Sequence, residues 1–125
     1  MTGDTMCTDI AGPTPSFYVA VLLYESSSDA PSYEPLYEEC FVLIRASTQE
    51  EAEARARAHA QQNEQSYQNA DGETIRWRPK RVIDVNAVLD DALVDGAELY
   101  ARHFRDLEAY SRFEPLLSDD EPRDA

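Results

Sequence analysis

Two histidines, two cysteines and a large surplus of acids are the side chains from which this 125-residue chain could build a reactive site. A hydrolytic triad needs a nucleophile on a sharp turn with a histidine within hydrogen-bond reach. Neither His59 nor His103 falls in a recognisable motif, and the serines cluster in loops where nothing fixes their geometry. Structural zinc asks for about four ligands at paired spacing, yet Cys7, Cys40, His59 and His103 are each isolated. A calcium loop around Asp71-Gly72 fails as well, because its first ligand would be Tyr67 and its bidentate acid would fall on Arg78. Asp90, Asp91 and Asp95 before Gly96 read as a solvated loop. No catalytic residue, no metal site and no cofactor is therefore expected.

Two polar groupings remain. If a third strand pairs with a last one, Glu73, Glu98 and Arg102 converge near a sheet edge and form a binding pocket with Tyr100 and Asn69. The plainer reading of the same residues is a cross-strand ion-pair ladder worth roughly 0.2–1 kcal/mol per pair. The second grouping is a basic strand, Arg76, Arg78, Lys80 and Arg81, with Trp77 among them. A basic strand with an aromatic can stack bases. Alternation, however, puts Trp77 on the face opposite Arg76 and Arg78, and the net charge of −14 repels phosphates. These bases are expected to pair with the chain's own acids, among them Glu38, Glu39 and Glu98, or else to dock an acidic partner surface; nucleic acid is not an expected partner.

The elements that must position these residues are legible in outline. Residues 1–15 and the acidic stretch 118–125 have no hydrophobic period and are expected to be disordered tails around one domain at 16–117. The ends hold six of the acids and one base, so the domain itself carries −9. Phe17–Glu25 is apolar on both faces and predicts a central strand. Tyr37–Ala46 predicts a second, with Cys40, Val42, Ile44 and Ala46 on one face. Ser47 with Glu50, or Thr48 with Glu51, can form a capping box opening a helix to about Gln65, with Ala52, Ala56, His59 and Ala60 on one stripe. Asn69–Gly72 is a turn, Glu73–Arg78 a third strand, and Pro79 there favours an edge or a bulge. Val82–Val85 resumes extended structure; Ala97–Phe104 suits a helix through Tyr100, Phe104 and Leu107 as well as a final strand, of which the strand is preferred, and a short helix then runs to about Phe113.

The expected fold is α+β: a small, mainly antiparallel sheet of three to five strands in ββαβ(β) order, packed on one long helix with a short C-terminal helix. One helix covers one sheet face. The other face needs a cover, supplied either by Leu107, Tyr110, Phe113, Leu116 and Leu117 or by another protein. Cys7 lies in a polar tail and Cys40 in an apolar strand, so both are expected to be free thiols. The N-terminus lacks the cationic and apolar regions of a signal peptide and no run is long enough to span a membrane, which predicts a cytoplasmic protein.

The chain resembles a family of small bacterial proteins classed only as a domain of unknown function. The resemblance lies in Phe17-Tyr-Val-Ala-Val-Leu-Leu-Tyr-Glu25, Leu36-Tyr-Glu-Glu39, Val42-Leu-Ile-Arg-Ala46, Glu50-Glu-Ala52, Tyr67-Gln-Asn69, Asp71-Gly-Glu73, Trp77, Asp84-Val85 and Asp95-Gly-Ala-Glu-Leu-Tyr-Ala-Arg102. It implies a strand, strand, helix, strand order and carries over no activity or catalytic residue. From the residues themselves the leading expectation is a non-enzymatic interaction module that docks a protein partner, or a second copy of itself, through a sheet edge or the uncovered face. Two alternatives stand beside it: an acidic inhibitor of immunity type for a basic partner, and a small-molecule-binding protein or enzyme using the Glu73, Glu98, Tyr100 and Arg102 pocket.

Overall fold

A computed structural model describes residues 15–90 and 92–114. The expected tails, except Pro15, lie outside these residues, as do Cys7, Asp91, Leu116 and Leu117. Strands β1 (Ser16–Ser28) and β2 (Tyr37–Ala46) are followed by helix α1 (Gln49–Gln62), strands β3 (Gln65–Gln68) and β4 (Thr74–Ala87), and helix α2 (Leu107–Phe113). The four strands form one antiparallel sheet in the order β2-β1-β4-β3. Mixed α and β structure and the central place of β1 follow the pattern read above. The element order is ββαββα rather than ββαβ(β), and α1 stops three residues short of Gln65 because β3 begins there.

Helix α1 starts where the second capping box predicts. Thr48 Oγ1 accepts from Glu51 N at 3.0 Å, and Glu51 Oε1 accepts from Ser47 N at 2.7 Å, so orphan donors of the first turn are satisfied. Ala52, Ala56 and Ala60 are buried against Tyr18, Ala20, Leu22, Tyr24, Ile44 and Val85. Methyl-sized side chains let the helix axis approach the sheet closely. The even-numbered residues of β1 and β2 thus form the helix-side core, with Cys40, Val42, Trp77 and Val82 at its margin.

Strand β4 is continuous where two extended pieces were expected, and the reason is visible in its register. Val21 lies opposite Asp84 and Leu22 opposite Val82; Leu23 lies opposite Arg81 and Tyr24 opposite Pro79. Ile83 and Lys80 are therefore extra residues, two bulges in one strand. Strand β3 pairs no further than Trp77, so at Pro79 strand β4 has a neighbour on one side only, where proline is tolerated. Each bulge shifts the phase once, and together they bring Val82, Val85 and Trp77 to the helix side while Arg76, Arg78, Arg81 and Asp84 fall on the other.

The β1–β2 connection is closed by Ser26, which is fully buried. Its hydroxyl bonds the Tyr33 hydroxyl, accepts from Leu36 N at 2.8 Å and donates to the Leu36 carbonyl at 3.1 Å.

The final strand expected over Ala97–Phe104 is absent. Gly96 adopts a positive φ of 87°, Ala97 N closes a turn on the Val94 carbonyl, and Glu98 N donates to Asp90 Oδ2 at 2.7 Å. Backbone groups held by a turn and a side chain are not offered to a ladder. Helix α2 forms as expected, capped by Asp106, but it packs against neither sheet nor α1. Leu107, Tyr110 and Phe113 are exposed, and Tyr110 stacks on Phe104 at 4.8 Å. The expectation that they cover the second sheet face is overturned; Leu116 and Leu117 lie outside the described residues.

Ala56 has no exposed surface, so Ala56→Leu forces α1 off the sheet. Urea unfolding is expected to show a loss of about 1–3 kcal/mol with helical content retained; an unchanged midpoint would contradict the close packing.

Candidate functional site

The second face of the sheet is covered by a strap, residues 93–100, rather than by a helix. Beneath it are Val19 and Val21, both buried. Tyr100 crosses this face. Its ring lies 5.6 Å from that of Phe41 on β2, and its hydroxyl donates to Asp84 Oδ2 on β4 at 2.7 Å. One side chain thereby ties the strap to strands on both sides of β1. Asp84 accepts two further bonds, from Val85 N at 3.0 Å and Asn86 Nδ2 at 2.8 Å.

Burial, the Asp84 hydrogen bond and the Asp84 charge push the Tyr100 hydroxyl up to about 12. Arg102 acts against that rise and Glu39 adds to it, which places both charges near the same hydroxyl. The latch is therefore a protonated phenol donating to a carboxylate throughout the neutral range.

Beside the latch the strap leaves a cleft of about 450 Å³ lined by Phe41, Leu43, Leu93, Val94, Leu99 and Tyr100, with Val19 at its floor. Its walls are apolar and open: Phe41 is 59% exposed, Leu43 45% and Val94 65%. A smaller cleft of about 230 Å³ lies at the C-terminal end of α1, between Tyr24, Glu38, Cys40, His59, Asn63 and Trp77. There the free Cys40 thiol is pushed up by burial and then by Glu38 and Glu39. A thiol so held is a poor nucleophile at neutral pH. Among the described residues, no three His, Cys, Asp or Glu side chains are grouped to hold a metal ion.

The five residues read as a pocket are not brought together. Asn69 and Glu73 form the β3–β4 turn: Asn69 Oδ1 accepts from Asp71 N and Glu73 N, and Asn69 Nδ2 donates to Glu73 Oε1. The run of β4 from Thr74 to Asp84, about 30 Å, separates that turn from Tyr100 and Arg102. Glu98 lies on the strap, its amide bound to Asp90. The expected convergence required the strand after Glu73 to pair with a last strand, and over Ile75–Trp77 β1 and β3 occupy both of its sides instead.

Two of the basic residues pair with the chain's own acids, though not with those named. Arg76 pairs with Asp29 at 3.6 Å and Lys80 with Glu25 at 3.3 Å, not with Glu38, Glu39 or Glu98; the bulge at Lys80 and the β1–β2 connection bring these acids closer. Glu25 also accepts from Tyr37. Arg78 and Arg81 are exposed. Asp84, Phe41 and Leu43 were not singled out as site residues from the sequence. The available signal was a single acid inside the apolar run Val82–Val85, which implies a polar partner across the sheet.

An antiparallel four-stranded sheet with one alanine-faced helix and an apolar second face defines a small α+β domain. The chain belongs to the family described as domain of unknown function DUF4288, whose sequence profile matches residues 17–101. No curated protein and no solved structure matches it. Among the described residues no helix is long and apolar enough to cross a membrane.

Tyr100→Phe removes the phenol that closes the latch and is expected to cost about 0.5–1.5 kcal/mol. The sign with pH follows from the raised value: the unfolded phenol ionises near 10 and the folded one near 12. The stability it gives is full below pH 10 and lost as pH rises through 12. Alkaline titration of tyrosine absorbance should lose its highest step in the variant; identical titrations would contradict the latch.

Proposed function

We propose that this domain is a non-enzymatic interaction module that docks a protein through the open edge of β2 and the adjoining apolar cleft. The observation that carries the reading is the run of Tyr37, Phe41 and Leu43, exposed along an outer strand and continuous with Leu93, Val94 and Leu99 of the strap. A long, apolar, unpaired edge recruits another strand unless something blunts it. The charges at its ends, Glu38, Glu39 and Arg45, leave its middle free. A cytoplasmic setting suits the free Cys40 thiol, which no disulfide claims.

The reading asks for no reaction. Under the strap the titratable pair is engaged in holding the face together, with Asp84 accepting from three donors and Tyr100 acting as the latch.

Phe41→Asp tests the docking surface. Phe41 is 59% exposed but its ring packs on Tyr100, so its replacement should cost no more than about 1.5 kcal/mol and leave the variant folded. Immobilised wild-type chain is expected to retain a stoichiometric protein that the folded variant does not. Equal retention by both would contradict the assignment of the surface.

A further inference from the structure

The backbone phase of β2 determines what its free edge can pair with. The Leu36 carbonyl accepts from Ser26 N at 2.9 Å, so even-numbered residues here turn their polar groups towards β1. The Arg45 carbonyl instead accepts from Arg55 Nη1 of α1 at 2.7 Å, so odd-numbered residues turn theirs outward. The N–H and C=O groups of Glu39, Phe41 and Leu43 therefore point away from the sheet, and among the described residues no loop or turn backbone bonds them. The side chains of the same residues lie on the second face.

We infer that the occupant of this edge is a second copy of the same chain, its β2 antiparallel to the first about a two-fold axis at Val42. The inference rests on the docking reading above and names the partner. In that register Glu39 lies opposite Arg45 of the second copy and Phe41 opposite its Leu43, and symmetry repeats both pairs. The charges at the two ends of β2 are thus complementary to themselves when the strand is reversed. Sliding the register by one pleat destroys this: either Glu39 meets Leu43 and Arg45 meets Tyr37, or Arg45 meets Phe41 and Glu39 runs past the strand. A one-residue slip puts Phe41 and Leu43 on opposite faces of the joined sheet.

The outward polar groups fall in the right phase for this pairing. Phe41 with Leu43 and Glu39 with Arg45 are hydrogen-bonded pairs, whereas Val42 faces its own copy in a non-bonded position. Arg55 already occupies the Arg45 carbonyl, so of the Glu39–Arg45 pair only the bond from Arg45 N–H to the Glu39 carbonyl forms, the full exchange closes at Phe41 and Leu43, and the ends are held by charge. The Arg55 guanidinium adds a second cation near the incoming Glu39. On the second face the two apolar clefts adjoin across the axis, joining the exposed Phe41 and Leu43 side chains of both copies. An unrelated strand would have to bring its own acid and base at matching positions; a second copy brings them by construction. The contact is isologous and therefore closes at two chains.

Charge exchange tests the register with full-length protein in sedimentation velocity at physiological ionic strength. Wild type is expected to reach twice the monomer mass at high micromolar concentration. Glu39→Arg and Arg45→Glu each place like charges opposite one another twice, and each should weaken association roughly tenfold or more. An equimolar mixture of the two variants restores opposite charges at both ends and should re-associate, as should the double variant alone. Circular dichroism checks that each variant, altered only at exposed positions, stays folded. A wild type that remains monomeric, or folded variants whose mixture associates no better than either alone, overturns the self-pairing. The docking reading falls separately, when immobilised Phe41→Asp retains the same proteins as immobilised wild type, this chain included.

Discussion

The structure turns on a mismatch between β1 and the single helix available to cover it. Val19 and Val21 point to one side of this strand while Tyr18, Ala20, Leu22 and Tyr24 point to the other, and all are buried. Helix α1 can shield only one of those faces. Leaving a valine pair in water would forfeit roughly 1.5–3 kcal/mol for each side chain, so the chain after β4 is drawn across the second face as a strap. It has no strand partner and no regular hydrogen bonding of its own. Its hold therefore rests on Tyr100, whose ring meets Phe41 and whose hydroxyl reaches Asp84.

Strand β4 makes that hold possible. Without the bulges at Lys80 and Ile83, strict alternation from Trp77 would carry Arg81 and Ile83 into the helix-side core. With them, Val82 packs against the core, Arg81 and Asp84 emerge on the second face, and Val85 returns to the helix side. The strap covers the centre of the face and stops short of its outer margin. Phe41 and Leu43 on β2 are consequently left exposed next to a strand edge that no other described strand pairs. An exposed apolar margin is thus a direct product of covering a two-sided sheet with one helix and a short strap.

Much of this was legible in the residues. The Thr48–Glu51 box located the start of α1, the spacing of Ala52, Ala56 and Ala60 gave its buried stripe, and the bounds of β2 agree with its alternation. Pro79 signalled an edge or bulge and lies between both. Strand β3 was invisible because Gln65-Ser-Tyr-Gln68 has no apolar pattern; all four residues are exposed, and it exists because the turn at Asn69–Gly72, with Gly72 at φ 80°, folds it onto β4. Tyr100 was marked as a site residue for a pocket with Glu73, yet its partner is Asp84. Local alternation says which face a residue occupies, but two bulges determine which residues share that face, and bulges leave only weak traces in sequence. The aromatic residues of α2 resembled a core stripe for the same reason: periodicity reports amphipathicity, not what the stripe will meet.

Residue-resolved amide hydrogen exchange at two protein concentrations addresses the central claim most directly, because the amides of β2 divide by phase. In dilute solution Cys40, Val42 and Ile44, bonded to β1, should be protected while Phe41 and Leu43 exchange as open backbone. At high concentration Phe41 and Leu43 should become protected with little change at their neighbours. Protection of Phe41 and Leu43 that is the same at both concentrations, whether fast or slow, would contradict an edge that the chain leaves open and a second copy closes.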